Sequence, residues 1–441
     1  MSDHWIKGGR TLPPTPLSGI DLNSGYMPVR RVFYFSGVPD IAKLQASLVI
    51  ALTQWPDFSA TIAMSNEKLC LLRNDTGVRF TVEKRDEAIP AFGIHEPLGL
   101  PDIFCDAAIG QTTGDCGPVF TVKIICFSDN HWTLGTCNSH ALCDGSGYWQ
   151  FMQSWRDAFH DQPFTAIASQ FMRYGAGNSD ISHSAAAVPA HLHIPAVPLF
   201  KQQMLNAQSY RSAQMLLPQA SLEKIKTCIN TTLAPDWVST QDVVMAMSWQ
   251  CLARIALAQG AAGDQDFPLA NVINIRSQLK LEHYVGNMVY SVSSHATLAD
   301  ICESPLEKLA QKIRRDARHA SAQNMRAHLD FMQKELQQGH YNAGGYLTGF
   351  SLRIAEACVY GRGVMINNWS RFPAYAMDFS GTPLWFDLAT SIPMHFVMAM
   401  PSPDGIVLRL FLPATQLIDA MTQLDHVLKK STEENATWAT T

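Results

Sequence analysis

From Ser179 to Pro198 the chain reads SDISHSAAAVPAHLHIPAVP, a stretch poor in charge and rich in alanine, serine and proline. Such a composition offers no apolar face to bury, and its prolines favour extended backbone. It therefore divides the 441 residues into halves of roughly 180 and 240 residues, each the size of an ordinary domain. The expected organisation is an N-terminal lobe over 1–180, a crossover linker over 181–204 and a C-terminal lobe over 205–441. No repeat or low-complexity tract modifies that division.

Periodicity supplies the elements within each half. Ile41–Trp55 places Leu44, Leu48, Ala51 and Leu52 on one helical stripe and stops at Pro56. Val119–Phe127 and Trp132–Asn138 read as strands parted by Ser128-Asp129-Asn130, and Tyr148–Phe159 as a helix with Trp149, Met152, Trp155 and Phe159 at core spacing. In the second half, Thr240–Leu257 and Pro305–Arg318 read as helices and Leu269–Ile275 as a strand. Met394–Met400 and Ile406–Leu412 form a hairpin around Pro401–Gly405, and a last helix spans Ala414–Lys430 before a polar tail. Strands and helices interleave without a strict βαβ rhythm, so the expected class is α/β, with mixed sheets flanked by helices.

Composition excludes several functions. Charged residues are 16% of the chain, below the average of about 25%. The 38 acidic and 33 basic residues leave a net charge of −5. A one-sided basic field, which nucleic acid or an anionic membrane would require, is missing. No apolar run reaches the length of a membrane span, and the start MSDHWIKGGRTLPPTP lacks the apolar core of a secretory signal. The ten cysteines are dispersed with no CxxC pair, which points to reduced thiols in a cytoplasmic protein. His191 and His193 have no neighbouring cysteine or carboxylate, so they read as loop residues and no metal is expected.

The sharpest chemical feature is His140-Ala-Leu-Cys-Asp144-Gly145 at the exit of a strand. Histidine is the commonest general base because both of its protonation states are accessible near neutrality. Gly145 permits a sharp turn into the following helix, whose start disfavours an imidazolium. Asp144 could orient His140 as in a catalytic triad, or bind another group and hold the turn. Cys143 invites a nucleophile reading, but buried cysteine is a common core filler. An isolated histidine in an apolar setting is more often a satisfied core residue than a catalyst, so the motif needs context.

The context is a collinear set of further segments. They are Leu17-Ser18-Gly19-Ile20-Asp21, the helix from Leu44 to Pro56, Gly117 to Phe159, and Trp249-Gln250-Cys251-Leu252-Ala253-Arg254. Arg276-Ser277-Gln278-Leu279 with Tyr284-Val285-Gly286-Asn287 follows, then Asn367-Asn368-Trp369 and Asp378-Phe379-Ser380-Gly381-Thr382-Pro383. In this order they resemble the BAHD superfamily of CoA-dependent acyltransferases, with its Leu-Ser-x-x-Asp, HxxxDG, Trp-x-Cys-x-x-Arg, Arg-Ser-x-Leu, (Tyr/Phe)-x-Gly-Asn, Thr-Ser-Trp and DFGWGKP elements. Two departures stand out: the last element is shortened and has lost its tryptophan, and Asn367 replaces the threonine.

The resemblance implies two chloramphenicol-acetyltransferase-like lobes with an active-site channel at their interface. In it, His140 would deprotonate a hydroxyl or amine of a small-molecule, specialised-metabolite acceptor, which attacks acyl-CoA with no acyl-enzyme. It implies that Asp144, Gly145, Asp378 and Arg276 are structural, Arg276 pairing with one of the two aspartates, and that Asn367 and Trp369 face the acceptor. Acyl-CoA would be a co-substrate with no permanently bound cofactor, and the enzyme a cytoplasmic monomer. The alternatives are a condensation domain, whose paired histidines are not matched because Ser139 precedes His140, a cyclase, or a non-catalytic binding protein on the same fold.

Overall fold

Twelve short, largely apolar strands assemble into two six-stranded sheets. The computed structural model describes residues 1–23, 28–66, 68–93, 101–106, 117–164, 193–194, 196–337 and 351–432. Its main strands are β1 (Ser2–Ile6), β2 (Pro28–Ser36), β3 (Val78–Lys84), β4 (Phe120–Cys126), β5 (His131–Ser139), β6 (Tyr210–Pro218), β7 (Leu269–Asn274), β8 (Val289–Ser294), β9 (Val364–Asn368), β10 (Trp385–Leu388), β11 (Phe396–Ser402) and β12 (Gly405–Pro413). The first sheet has the order β1-β3-β4-β5-β2-β10 and the second β6-β12-β11-β9-β7-β8. Each mixes pairings: β3–β4, β7–β9 and β9–β11 run parallel and the other pairs antiparallel.

The helices that matter for the site are α1 (Ile41–Gln54), α2 (Gly145–Phe159), α3 (Ala196–Ser209), α4 (Thr240–Ala258), α5 (Leu306–His319) and α6 (Ala414–Thr432). The Leu44–Leu48–Leu52 stripe of α1 is fully buried, and Trp155 of α2 locks the two helices by donating its indole N–H toward Leu44 O and Ser47 Oγ at 3.2 and 3.1 Å. A Ser239–Asp242 capping box starts α4, one residue before the expected entry. The terminal hairpin is tighter than expected, with Ser402 paired to Gly405 across Pro403-Asp404.

Two differences concern the division of the chain. Residues 165–192, which hold most of the Ala/Pro-rich stretch and His191, lie outside the described residues. From Ala196 onward, where an extended crossover was expected, the chain is helical as α3. Pro198 falls in its first turn, where a missing N–H costs no hydrogen bond, and the following Leu-Phe-Lys-Gln-Gln-Met-Leu run favours helix. Strand β10, from the second half of the sequence, completes the first sheet by pairing Trp385 with Tyr34 and Leu388 with Arg31.

Burial follows the same exchange. One core joins Phe33, Trp155 and Phe151 of the first half to Val285, Trp369, Phe386 and Met398 of the second, whereas another lies within the C-terminal half around Trp249, Leu408 and Leu424. The halves meet closely at Gly147 in the first turn of α2, where a Cβ would stand 2.1 Å from the carbonyl oxygen of Val285. Gly147→Ala is therefore expected to push the halves apart and cost about 1–3 kcal/mol or more, measured as a lowered melting temperature.

Candidate active site

His140 is the first residue after β5, and the turn it opens is closed by Leu142 N–H donating to Ser139 O at 3.0 Å. Asp144 then caps α2, its Oδ1 accepting from Gly147 N at 3.1 Å. The motif thus sits where a strand of the first sheet hands over to a helix that packs against the second half. The expected reason for Gly145 does not hold: its φ is not among the positive values. The tight neighbour is instead a side chain: a Cβ would lie 2.9 Å from the ring of Phe372, which would have to shift to admit it.

The backbone of His140 is held from across the interface. Asn287 Nδ2 donates to His140 O at 2.8 Å, and Asn287 donates from both its backbone and its amide to Asp21 Oδ1 at 3.0 and 3.2 Å. Asp21 Oδ2 accepts from Ser18 N–H and Oγ–H. The Leu-Ser-x-x-Asp and Tyr-x-Gly-Asn segments, 266 residues apart, therefore converge behind the histidine. The residue as a whole is half-buried, while Nδ1 is sealed and has no hydrogen-bond partner. Burial drives its pKa below the ordinary histidine value, Asp144 acts in the opposite direction, and the charge of Arg31 pushes it down again. The ring is thereby kept neutral, as a base must be.

Asp144 is not available to orient that ring. Its Oδ2 accepts from Arg276 Nη1 at 2.8 Å and Met288 N at 2.9 Å, and its Oδ1 from Arg276 Nη2 at 2.9 Å besides the capped Gly147. Arg276 spends its remaining donors on Tyr284 O, Gly286 O and Asn274 Oδ1. Both side chains are nearly inaccessible, at 3% and 4%. This closed, fork-to-carboxylate pair joins the two halves directly beneath the motif. A second buried pair, Arg409 with Asp387, links the second sheet to β10.

Asp378 lies elsewhere. Its partners are Arg156, through Nε at 2.7 Å, and His160, and hydrogen bonds from Arg156 hold its carboxyl below the usual range. Arg276 thus serves Asp144 alone. The turn after Asp378 is made by Ser380 and Gly381 at φ +50° and +127°, and Ser380 Oγ accepts from the backbone of Asp40 at the head of α1. Cys143 is 1% exposed and packed against Gly147, so it is no accessible nucleophile.

Alternation along β9 sends Val364 and Ile366 into the second core and leaves Met365 and Asn367 on the face toward the first. The Asn367 amide makes no hydrogen bond among the described residues, whereas the neighbouring Asn368 Oδ1 accepts from Ser370 N. Trp369 is buried against Phe372 beside Gly145. Arg31, which the sequence reading passed over, is also here. Its guanidinium lies 3.7 Å from the centre of the Tyr148 ring and 4.9 Å from that of Trp369, and Nη1 donates to Asn138 Oδ1 at 2.6 Å. The available signal was the alternation Val29, Arg31, Phe33, Phe35 in β2, which puts a cation on an apolar face.

Among the described residues no group of three or more His, Cys, Asp or Glu side chains is placed to hold a metal, and no helix is long and apolar enough to cross a membrane. An open cleft of about 500 Å³ is lined by Gln150, Ser154, Asp157, His283 and Met377, and does not include His140.

Comparison with known proteins bears on this geometry. The sequence profile described as "Transferase family" matches residues 30–425. Anthranilate N-benzoyltransferase protein 1 of Dianthus caryophyllus is 23% identical over 370 residues, covering 80% of this chain and 78% of that protein. Agmatine coumaroyltransferase-1 of Hordeum vulgare is 21% identical over 425 residues, covering 90% of each. The structure of F. sporotrichioides TRI101 complexed with coenzyme A and T-2 superposes with a TM-score of 0.73 at 15% identity, over 96% of this chain and 98% of that one. At that identity the likeness speaks for the fold.

Proposed function

The chain belongs to the Transferase family, the BAHD acyltransferases, and from that premise we propose that His140 is the general base of a direct transfer from acyl-CoA to an acceptor hydroxyl or amine. The protein is a CoA-dependent acyltransferase on a two-lobed, chloramphenicol-acetyltransferase-like α/β fold. Acyl-CoA is a substrate in this reaction, not a resident group. The observation that carries the assignment is the partly exposed, neutral-biased His140 whose neighbouring carboxylate is wholly engaged by Arg276.

The acceptor O–H or N–H donates to the free ring nitrogen of His140 and loses its proton as oxygen or nitrogen attacks the thioester carbon. The carbonyl π pair moves to oxygen, giving a tetrahedral oxyanion. When that pair returns, the C–S bond breaks and the proton passes from His140 to the departing CoA sulfur. General-base assistance is worth about 10²–10⁴-fold, and alignment of the two substrates supplies further rate. No acyl-enzyme is needed. In this reading Asp144, Gly145, Asp378 and Arg276 shape the site without touching substrate, Asn367 and Trp369 face the acceptor, and the lobes are residues 1–180 and 205–441. The enzyme works as a cytoplasmic monomer on a specialised-metabolite acceptor. None of the described cysteines is joined in a disulfide, which supports a reducing compartment.

Thiol release from acetyl-, benzoyl- and p-coumaroyl-CoA, measured against a panel of alcohols and amines including anthranilate and agmatine, tests the class of reaction. Release is expected only when a matching acceptor is present. Equal release without any acceptor, or none with all of them, would contradict it. Asn367→Ala is expected to lower the specificity constant for the acceptor by about 5- to 150-fold, because a polar group of the bound acceptor would be left unpaired. The constant for acyl-CoA should change little; the reverse pattern would place Asn367 on the donor side.

A further inference from the structure

Four arginines are buried among the described residues, and three of them face a carboxylate: Arg73 meets Asp57, Arg276 meets Asp144 and Arg409 meets Asp387. Arg31, at 1% exposure, has no acidic partner among the described residues. A cation taken out of water without a counter-charge is expensive, and one neutral amide acceptor with two aromatic faces offsets only part of that cost. Its Nε is sealed and donates to nothing, and its second terminal nitrogen makes no hydrogen bond either. Half of a guanidinium fork is thus left without acceptors in the interior.

The position of this deficit is chemically specific. Asn138, which holds Nη1, precedes His140 by two residues, and the charge of Arg31 reaches His140. Trp369, on its other side, stands beside the first turn of α2. Two aromatic rings and an unpaired planar fork suit a planar monoanion, which matches guanidinium geometry with two parallel hydrogen bonds.

We propose that Arg31 is the recognition point for a carboxylate carried by the substrate, so that this enzyme selects carboxylated over neutral substrates. The inference rests on His140 being the reaction centre. The carboxylate belongs either to the acceptor or to the far end of the acyl group, and the two sources are separable.

One arm compares 4-hydroxybenzoate with its methyl ester as acceptors from acetyl-CoA; the other compares malonyl-CoA with propionyl-CoA as donors to an acceptor found in the thiol-release panel. The wild type is expected to prefer the acid in one arm. Arg31→Gln should reduce that preference at least about 10-fold, and Arg31→Lys, which keeps charge but not the fork, should reduce it less. The readout is a ratio within one preparation, so a smaller folded fraction cancels. Wild-type indifference in both arms, or an unchanged ratio in Arg31→Gln, overturns the proposal. Calorimetric titration with benzoate, and with benzyl alcohol as the neutral control, needs no turnover. Benzoate binding that is lost in Arg31→Gln upholds the anion site even if acyl transfer fails in every assay, whereas benzoate bound no better than benzyl alcohol sinks it.

Discussion

Replacing His140 by alanine is expected to reduce acyl transfer by about 10²–10⁴-fold while leaving the melting temperature close to that of the wild type. The separation of the two effects follows from how the residue is held. The contact that Asn287 makes is with the backbone carbonyl of His140, which alanine retains. Nδ1 makes no hydrogen bond that truncation would break, and the residue is only half-buried. What disappears is, among the described residues near the turn, the group placed to move a proton, since Asp144 is committed and Cys143 is sealed. Turnover within a few-fold of wild type in a folded variant would remove His140 from the mechanism.

Asp144→Asn is expected to show the opposite balance, with stability as the first casualty. Arg276 would remain buried among three carbonyl-type acceptors with its counter-charge gone, a change that costs about 3–5 kcal/mol when one member of a buried pair is removed. Against a total stability of about 5–15 kcal/mol, such a loss places the variant near the limit of folding. Poor soluble yield and a strongly lowered melting temperature are the measurements. Asp378→Asn should be mild, at most about 1 kcal/mol, because its pair with Arg156 is one-third exposed and screened. A stable Asp144→Asn enzyme as inactive as His140→Ala would make the aspartate a participant in the chemistry.

Those two aspartates show where sequence reading reaches and where it stops. The family resemblance marks both as structural acids, and Arg276 as a partner for one of them, because they belong to recurring motifs; the structure shows the pairings, Arg276 with Asp144 and Arg156 with Asp378. Which acid it meets depends on the docking of the halves, a contact between residues 132 positions apart that no local pattern encodes. Local periodicity located α1, α2, α4, α5 and α6 and the β4, β5, β11 and β12 strands to within a few residues, since an amphipathic stripe or alternating run is visible in any window. The transfer of β10 to the first sheet is invisible in the same way, because a four-residue apolar strand carries no address.

Gly145 and Arg31 show two other limits. A glycine after an acid suggests backbone freedom, whereas here its close neighbour is the ring of Phe372, more than 200 residues away in the chain. Arg31 was readable in principle from its place in β2, yet its meaning comes from the absence of a carboxylate nearby, and absence is a property of the folded neighbourhood alone.

The most direct test of the central claim is the pH dependence of kcat/KM for the acceptor in the wild-type enzyme, with the chemical step shown to be rate-limiting by a solvent isotope effect. His140 must be neutral to accept a proton, and burial lowers its folded-state pKa below the ordinary 6.5. Activity is therefore complete above that ordinary value and is lost with unit slope only as the pH falls through the depressed pKa. The predicted result is a single acid limb with its midpoint below 6.5. A midpoint above 7 with chemistry limiting would contradict His140 as the base.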